Sequence, residues 1–203
     1  MALTSMPASR GRGARARRLT ARQTALLDDI VGLYLLEGFA HLTLDELAGR
    51  LRCSKSTLYA LAASKEQLAV AAIVHFFRRA ADRVEQCIAG VTDARGRIGS
   101  YLTAVAEELA AASPEFYRDL ASFAPGREVY ERNTRIAADR IRSFVVDGVH
   151  AGAFREVHAS FVAEAAAATM VGIQRGEITR HTGLTTAQAY AELATLVLDG
   201  VSS

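Results

Sequence analysis

Lys55, Ser56, Thr57 and Tyr59 sit together in one short stretch, with Ser54 just before them and Lys65 shortly after. An amine, hydroxyls and a phenol at exposed positions of one helix suit phosphate oxygens and base edges. Residues that commonly carry catalysis are not arranged for it. The five histidines, His41, His75, His150, His158 and His181, are scattered without HExxH or another metal-ligand spacing. There is no GxSxG, P-loop or dinucleotide-binding glycine pattern. Glu107 and Glu108 are adjacent, so on a helix they point to different parts of its surface. Cys53 and Cys87 form no CxxC pair, which fits a reducing compartment. The expectation is a binding protein and not an enzyme, without cofactor or metal.

These residues need helices to hold them, and helix starts are legible. Thr20-Ala-Arg-Gln23, Thr43-Leu-Asp-Glu46, Ser64-Lys-Glu-Gln67 and Thr185-Thr-Ala-Gln188 each match the capping box, in which cap hydroxyl and N3 side chain satisfy each other's amides. Ser113-Pro114 is a further start, with proline where its missing N–H costs nothing. The first helix is predicted from about Thr20 to Glu37, with an apolar stripe at Leu27, Ile30, Val31, Tyr34 and Leu35 and Gly38 as its stop. Short helices follow over 44–51 and 55–61, then a long one from Ser64 toward Cys87. Gly90, Gly96 and Gly99 read as a junction between two domains. Beyond it, helices are expected over 98–112, 114–122, 128–150, 160–175 and 186–201, with a turn at 151–155. The fold class is all-α, about nine helices in total.

Leu44 to Leu61 carries Leu47, Leu51, Cys53, Leu58 and Leu61 with the small Ala48 between them. This suits two short helices crossing steeply around a tight turn, a helix-turn-helix whose second helix enters the major groove. Gly38-Phe-Ala-His-Leu-Thr43-Leu-Asp-Glu-Leu-Ala48, then Ser54-Lys-Ser-Thr-Leu-Tyr59, then Ser64-Lys-Glu-Gln-Leu68 resembles the N-terminal domain of the tetracycline-repressor (TetR) family. The resemblance covers about Thr20 to Val70; beyond it only helix number and length are similar. It implies DNA contacts at Thr43, Ser54, Lys55, Ser56, Thr57, Tyr59 and Lys65. Thr43 and Ser64 at helix N-termini also suit phosphate on physical grounds, while as caps they serve the helices alone; one residue can do both. Two departures stand out. Arg52 occupies the turn position where the family usually has glycine, at a cost of roughly 1 kcal/mol if φ is positive there. Leu61-Ala62 stands where the family often has His-Phe.

Net charge is +2, unevenly divided: 13 Lys/Arg against 7 Asp/Glu through Arg83, and 11 against 15 beyond it. Such a split suggests an N-terminal part that meets a polyanion. Residues 1–19, with Arg10, Arg12, Arg15, Arg17 and Arg18, read as a basic flexible arm or a plain solvated tail; a mitochondrial presequence is the other source of such composition. Residues 20–66 then form the helix-turn-helix domain and 67–203 a helical ligand-binding and dimerisation domain. The apolar run 161–173 contains Glu164 and is too short to span a membrane, so a soluble, cytoplasmic protein is expected.

The helix over 160–175 is apolar nearly all round and the last helix carries an apolar stripe. Phe161, Ala165, Tyr190, Leu193, Leu196 and Val197 are therefore candidates for a two-fold dimer interface, against the alternative of a purely intramolecular core. Tyr101, Phe116, Tyr117, Phe123, Phe144 and Met170 are candidates for lining a ligand pocket, against the alternative of plain core. The resemblance implies a homodimer on a palindromic double-stranded DNA operator. It also implies a repressor released by a small inducer, for which the scarcity of buried charge suggests an apolar or aromatic compound. The alternatives are a helical small-molecule or partner-binding protein without operator control, and an architectural DNA binder without an inducer.

Overall fold

The computed structural model describes residues 19–202, so residues 1–18 of the basic arm, with its arginines, lie outside the described residues. The described residues form ten helices and no strand: α1 (Ala21–Glu37), α2 (Leu44–Arg50), α3 (Lys55–Tyr59), α4 (Lys65–Ile88), α5 (Ala94–Ala110), α6 (Pro114–Ser122), α7 (Ala124–His150), α8 (Ala159–Gln174), α9 (Glu177–Thr182) and α10 (Thr186–Val201).

Local chemistry sets the starts. Thr20, Thr43 and Thr185 each close a full capping box with Gln23, Glu46 and Gln188. Ser64 differs from the expected box. Its hydroxyl accepts from the Gln67 amide at 3.2 Å, but the Gln67 side chain reaches past the cap to the Ala63 amide, also at 3.2 Å. Ser113 caps α6 with Pro114 at its first position.

Two expected helix starts shift and one helix is added. α5 begins at Ala94, not residue 98, because Asp93 accepts from the Gly96 amide at 2.6 Å and caps the helix early. Gly96 and Gly99 therefore lie inside α5; a Cβ at Gly96 would meet the Asp93 carboxylate at 2.5 Å. α7 begins at Ala124, not residue 128, with Pro125 in its first turn and Gly126 buried beneath Leu120, Phe123 and Ile73. The short α9 has no counterpart in the expected set; Gly176 and Gly183, both left-handed, bracket it.

One apolar core runs from the N-terminal helices to the last. α1 lays Leu27, Ile30 and Tyr34 inward and packs on α4 and α6. Leu47, Ala48 and Leu58 form the small core shared by α2 and α3; each buried leucine contributes about 2 kcal/mol, which is what holds so short a pair in place. α4 is about 36 Å long at 1.5 Å per residue. It starts beside the small head and ends deep in the larger bundle, packing there on α5 and α7. α8 packs on α7 and α10, and α10 on α5.

Candidate nucleic-acid interface and ligand cavity

The turn between α2 and α3 is closed by backbone bonds from the Cys53 amide to the Ala48 carbonyl at 3.0 Å and from Arg52 to Gly49 at 3.3 Å. Arg52 has φ 49°, and it is the only non-glycine residue with positive φ among those described. The strain anticipated from an arginine at that turn is therefore present. α3 turns Leu58 inward, which leaves Lys55, Ser56 and Tyr59 outward. Tyr59 is 51 % exposed, unusual for so large an aromatic ring.

Ser54 caps α3 by accepting from the Thr57 amide, and its hydroxyl lies 2.7 Å from Ser56 Oγ and 2.8 Å from Thr57 Oγ1. Three hydroxyls thus gather at the N-terminus of the outward helix. Lys55 Nζ pairs with Asp45 of α2 at 2.6 Å, and that hydrogen bond, with the aspartate's charge, raises its pKa.

Thr43 and Lys65 are also placed at this end, but both are engaged. The Thr43 amide and hydroxyl donate to Glu46 Oε2 at 2.7 and 2.8 Å. The amide bond first, then the hydroxyl bond, hold the Glu46 carboxyl below its ordinary range. Lys65 Nζ donates to the Ala40 carbonyl at 2.7 Å, tying the start of α4 to the loop between α1 and α2.

That loop has a second anchor. Asp119 of α6 accepts from the Phe39 and Ala40 amides at 2.6 and 2.8 Å through one carboxylate oxygen. Gly38, at φ 81°, makes the approach possible, since a Cβ there would lie 2.5 Å from that oxygen. Sequence reading passes over Asp119 because no local pattern marks a contact across 80 residues.

In the larger bundle, a cavity of about 360 Å³ opens between α4, α5, α7 and α8, within the range of small-molecule sites. Phe77, Tyr101, Val105, Ile136 and Met170 supply apolar walls, and Tyr130 and Gln174 line it as well. At its rim Arg140 grips Glu85 through two bonds of 2.8 and 2.6 Å, and Arg83 pairs with Glu108. Of the expected pocket residues, Tyr101 and Met170 are there. Tyr117 faces a neighbouring cavity among α6, α7 and α9. Phe116, Phe123 and Phe144 are spent on packing: Phe116 and Phe123 edge-on to Phe39, and Phe144 against Tyr101. Tyr130, Gln174 and Ile136 were not anticipated; nothing in helical periodicity separates a cavity wall from ordinary core.

The expected dimer residues fall into two places. Phe161, Ala165, Leu193, Leu196 and Val197 line one groove between α8 and α10, with Phe161 71 % and Leu196 69 % exposed. Tyr190 instead points inward and is fully buried, its hydroxyl accepting from Gln174 Nε2 at 2.6 Å.

No protein-family model and no curated protein matches the sequence. Solved structures do match the fold. A protein from Saccharomonospora viridis, described as a transcriptional regulator and solved in complex with choline, aligns with a TM-score of 0.74 at 16 % identity, over 90 % of this chain and 98 % of that one. A TetR transcription regulator from Haloarcula marismortui aligns at 0.72 and 16 %, over 91 % and 100 %. The reduced form of NemR from E. coli aligns at 0.71 and 16 %, over 90 % and 97 %. The chain thus has the all-helical fold of TetR-family transcriptional regulators over nearly its whole length.

Proposed function

We propose that the chain is a transcriptional regulator of the TetR kind, which binds a palindromic operator as a homodimer, represses from it, and is released by a small inducer. The observation that carries this reading is α3: a short helix in a steep helix-turn-helix, presenting Lys55, Ser56 and Tyr59 outward with three hydroxyls at its N-terminus. Residues 20–66 act as the reading head and residues 67–203 as the ligand-binding and dimerisation part, in the cytoplasm, where DNA is accessible. Lys55 is the side chain for a base edge, exchanging Asp45 for it on binding, and Tyr59 for a phosphate. A second copy docks on the α8–α10 groove, since exposed Phe161 and Leu196 need cover and two heads then match the two half-sites of a palindrome.

The inducer occupies the cavity under α4. Phe77, Ala80 and Val84 of α4 line that cavity, and the same rigid helix begins at the head. A ligand that prefers one tilt of α4 biases the spacing of the two heads. Choline, carried by the Saccharomonospora protein, is a cation; here both rim glutamates are already paired with arginines, which favours an uncharged guest.

The test is selection of bound duplexes from a random pool by the full chain, repeated with Lys55→Ala and Tyr59→Ala. An inverted repeat, weakened by both substitutions, is expected. Recovery of no motif at low and moderate salt overturns the operator reading and leaves a helical small-molecule binder.

A further inference from the structure

We propose that the cavity takes a neutral ligand with an apolar body and one hydroxyl group, and that Tyr130 and Gln174 read that hydroxyl. The inference rests on the inducer reading above and specifies its ligand class.

Among the described residues, three buried side-chain polar atoms have no partner: Tyr34 Oη, Tyr130 Oη and Gln174 Oε1. Two of the three belong to residues that line this one cavity, Tyr130 and Gln174. Buried polar atoms are nearly always hydrogen-bonded, and leaving one bare is costly, so two bare atoms on residues of one cavity wall, within reach of a guest after a small side-chain shift, mark a place for a polar group. Gln174 Nε2 is held by Tyr190 Oη, which turns the amide so that Oε1 is its free end. Burial pushes the Tyr130 phenol up to about 12, which keeps it protonated and able to donate. One atom donates and the other only accepts. A hydroxyl, which does both, satisfies the two together.

The rest of the wall excludes a charged group. Glu85, Glu108 and Asp139 reach the rim, and each is paired, with Arg140, Arg83 and Arg142 respectively. An ionised guest would lose its hydration in an apolar cavity and find no free counter-charge. The competing polar subsite is the neighbouring cavity of about 630 Å³, which shares Tyr130 and Gln174 as a wall and is lined by Arg175 and Arg180, with Arg118 and Arg127 paired to Glu115 and Glu131. It would favour a carboxylate.

Calorimetric titration of the full chain with 4-propylphenol, 4-propyltoluene and 4-propylbenzoate separates these. The phenol is expected to bind roughly tenfold tighter than the toluene, the net of its hydrogen bonds to Tyr130 and Gln174 against the hydration its hydroxyl loses. Tyr130→Phe, which leaves only the bond to Gln174, should reduce that ratio severalfold while leaving the toluene's affinity and the circular-dichroism spectrum unchanged. Equal binding of phenol and toluene, tightest binding by the benzoate, or binding by none overturns the proposal. These outcomes are independent of duplex selection. An operator recovered alongside no phenol binding removes only this ligand class; phenol binding without an operator keeps the site and removes the regulator.

Discussion

Arg52 is held in the left-handed region by the geometry of a turn that glycine would satisfy without strain. Arg52→Gly is expected to stabilise the chain by about 1 kcal/mol, read by urea denaturation. The side chain is exposed and carries a charge at the edge of the head. If it also reaches a phosphate, the same substitution should lower the slope of log affinity against log salt by about 1. A stabilised variant with an unchanged slope would show that the arginine is strain alone. Asp45 poses the opposite question, because its carboxylate both orients Lys55 and competes with DNA for it. Asp45→Asn should strengthen operator binding a few-fold in a mobility-shift assay, as fits an exposed pair. A weakened complex would mean that Asp45 chiefly positions the lysine.

At the scale of elements, the α1–α2 loop is where the head meets the larger bundle. Asp119 holds two of its amides, and Lys65 its carbonyl. Asp119→Ala leaves the part-buried Phe39 amide without an acceptor and should destabilise the chain by about 1–3 kcal/mol, whereas Asp119→Asn, which keeps an acceptor oxygen, should recover much of this. Equal losses in both variants would make the contact one of charge. The α2 cap supplies a pH test. Glu46 has a depressed pKa because it accepts from Thr43, so its contribution is present above the ordinary carboxylate range and lost as pH falls through the depressed value. The stability gap between the unaltered chain and Glu46→Gln, measured by denaturant at pH 7 and pH 3, should therefore narrow at the lower pH.

For the whole molecule, function as proposed depends on two copies. Phe161 and Leu196 stand on neighbouring helices, both largely exposed, over a groove whose floor is Leu193 and Val197. Phe161→Asp with Leu196→Asp should convert a dimer to a monomer in sedimentation equilibrium and abolish binding to a full palindrome, with helix content unchanged. A dimer that survives both changes would move the interface elsewhere. The fold also explains why a small head is workable. α2 and α3 bury little by themselves, but Leu47, Ala48 and Leu58 join the same continuous apolar core as the buried residues of α1 and α4.

What the sequence determined by itself is local in origin. Caps and stripes act within about four residues, so Thr20, Thr43, Ser113 and Thr185 announced their helices, and the spacing of Leu47, Ala48 and Leu58 announced the helix-turn-helix and its outward face. The strain at Arg52 was legible only through the resemblance, which puts glycine at that turn, and the observed φ of 49° meets the condition. The early start of α5 was missed where a local signal did exist, in Asp93. Only the tertiary structure decided the rest. Whether Tyr190 faced a partner or Gln174, whether Phe144 or Tyr130 lined the cavity, and whether Asp119 met solvent or the Phe39 amide all depend on how helices far apart in the chain rotate against one another. A helical stripe specifies that a face is buried. It does not specify against what, since the cavity is the gap left between four helices, and no single one of them encodes it.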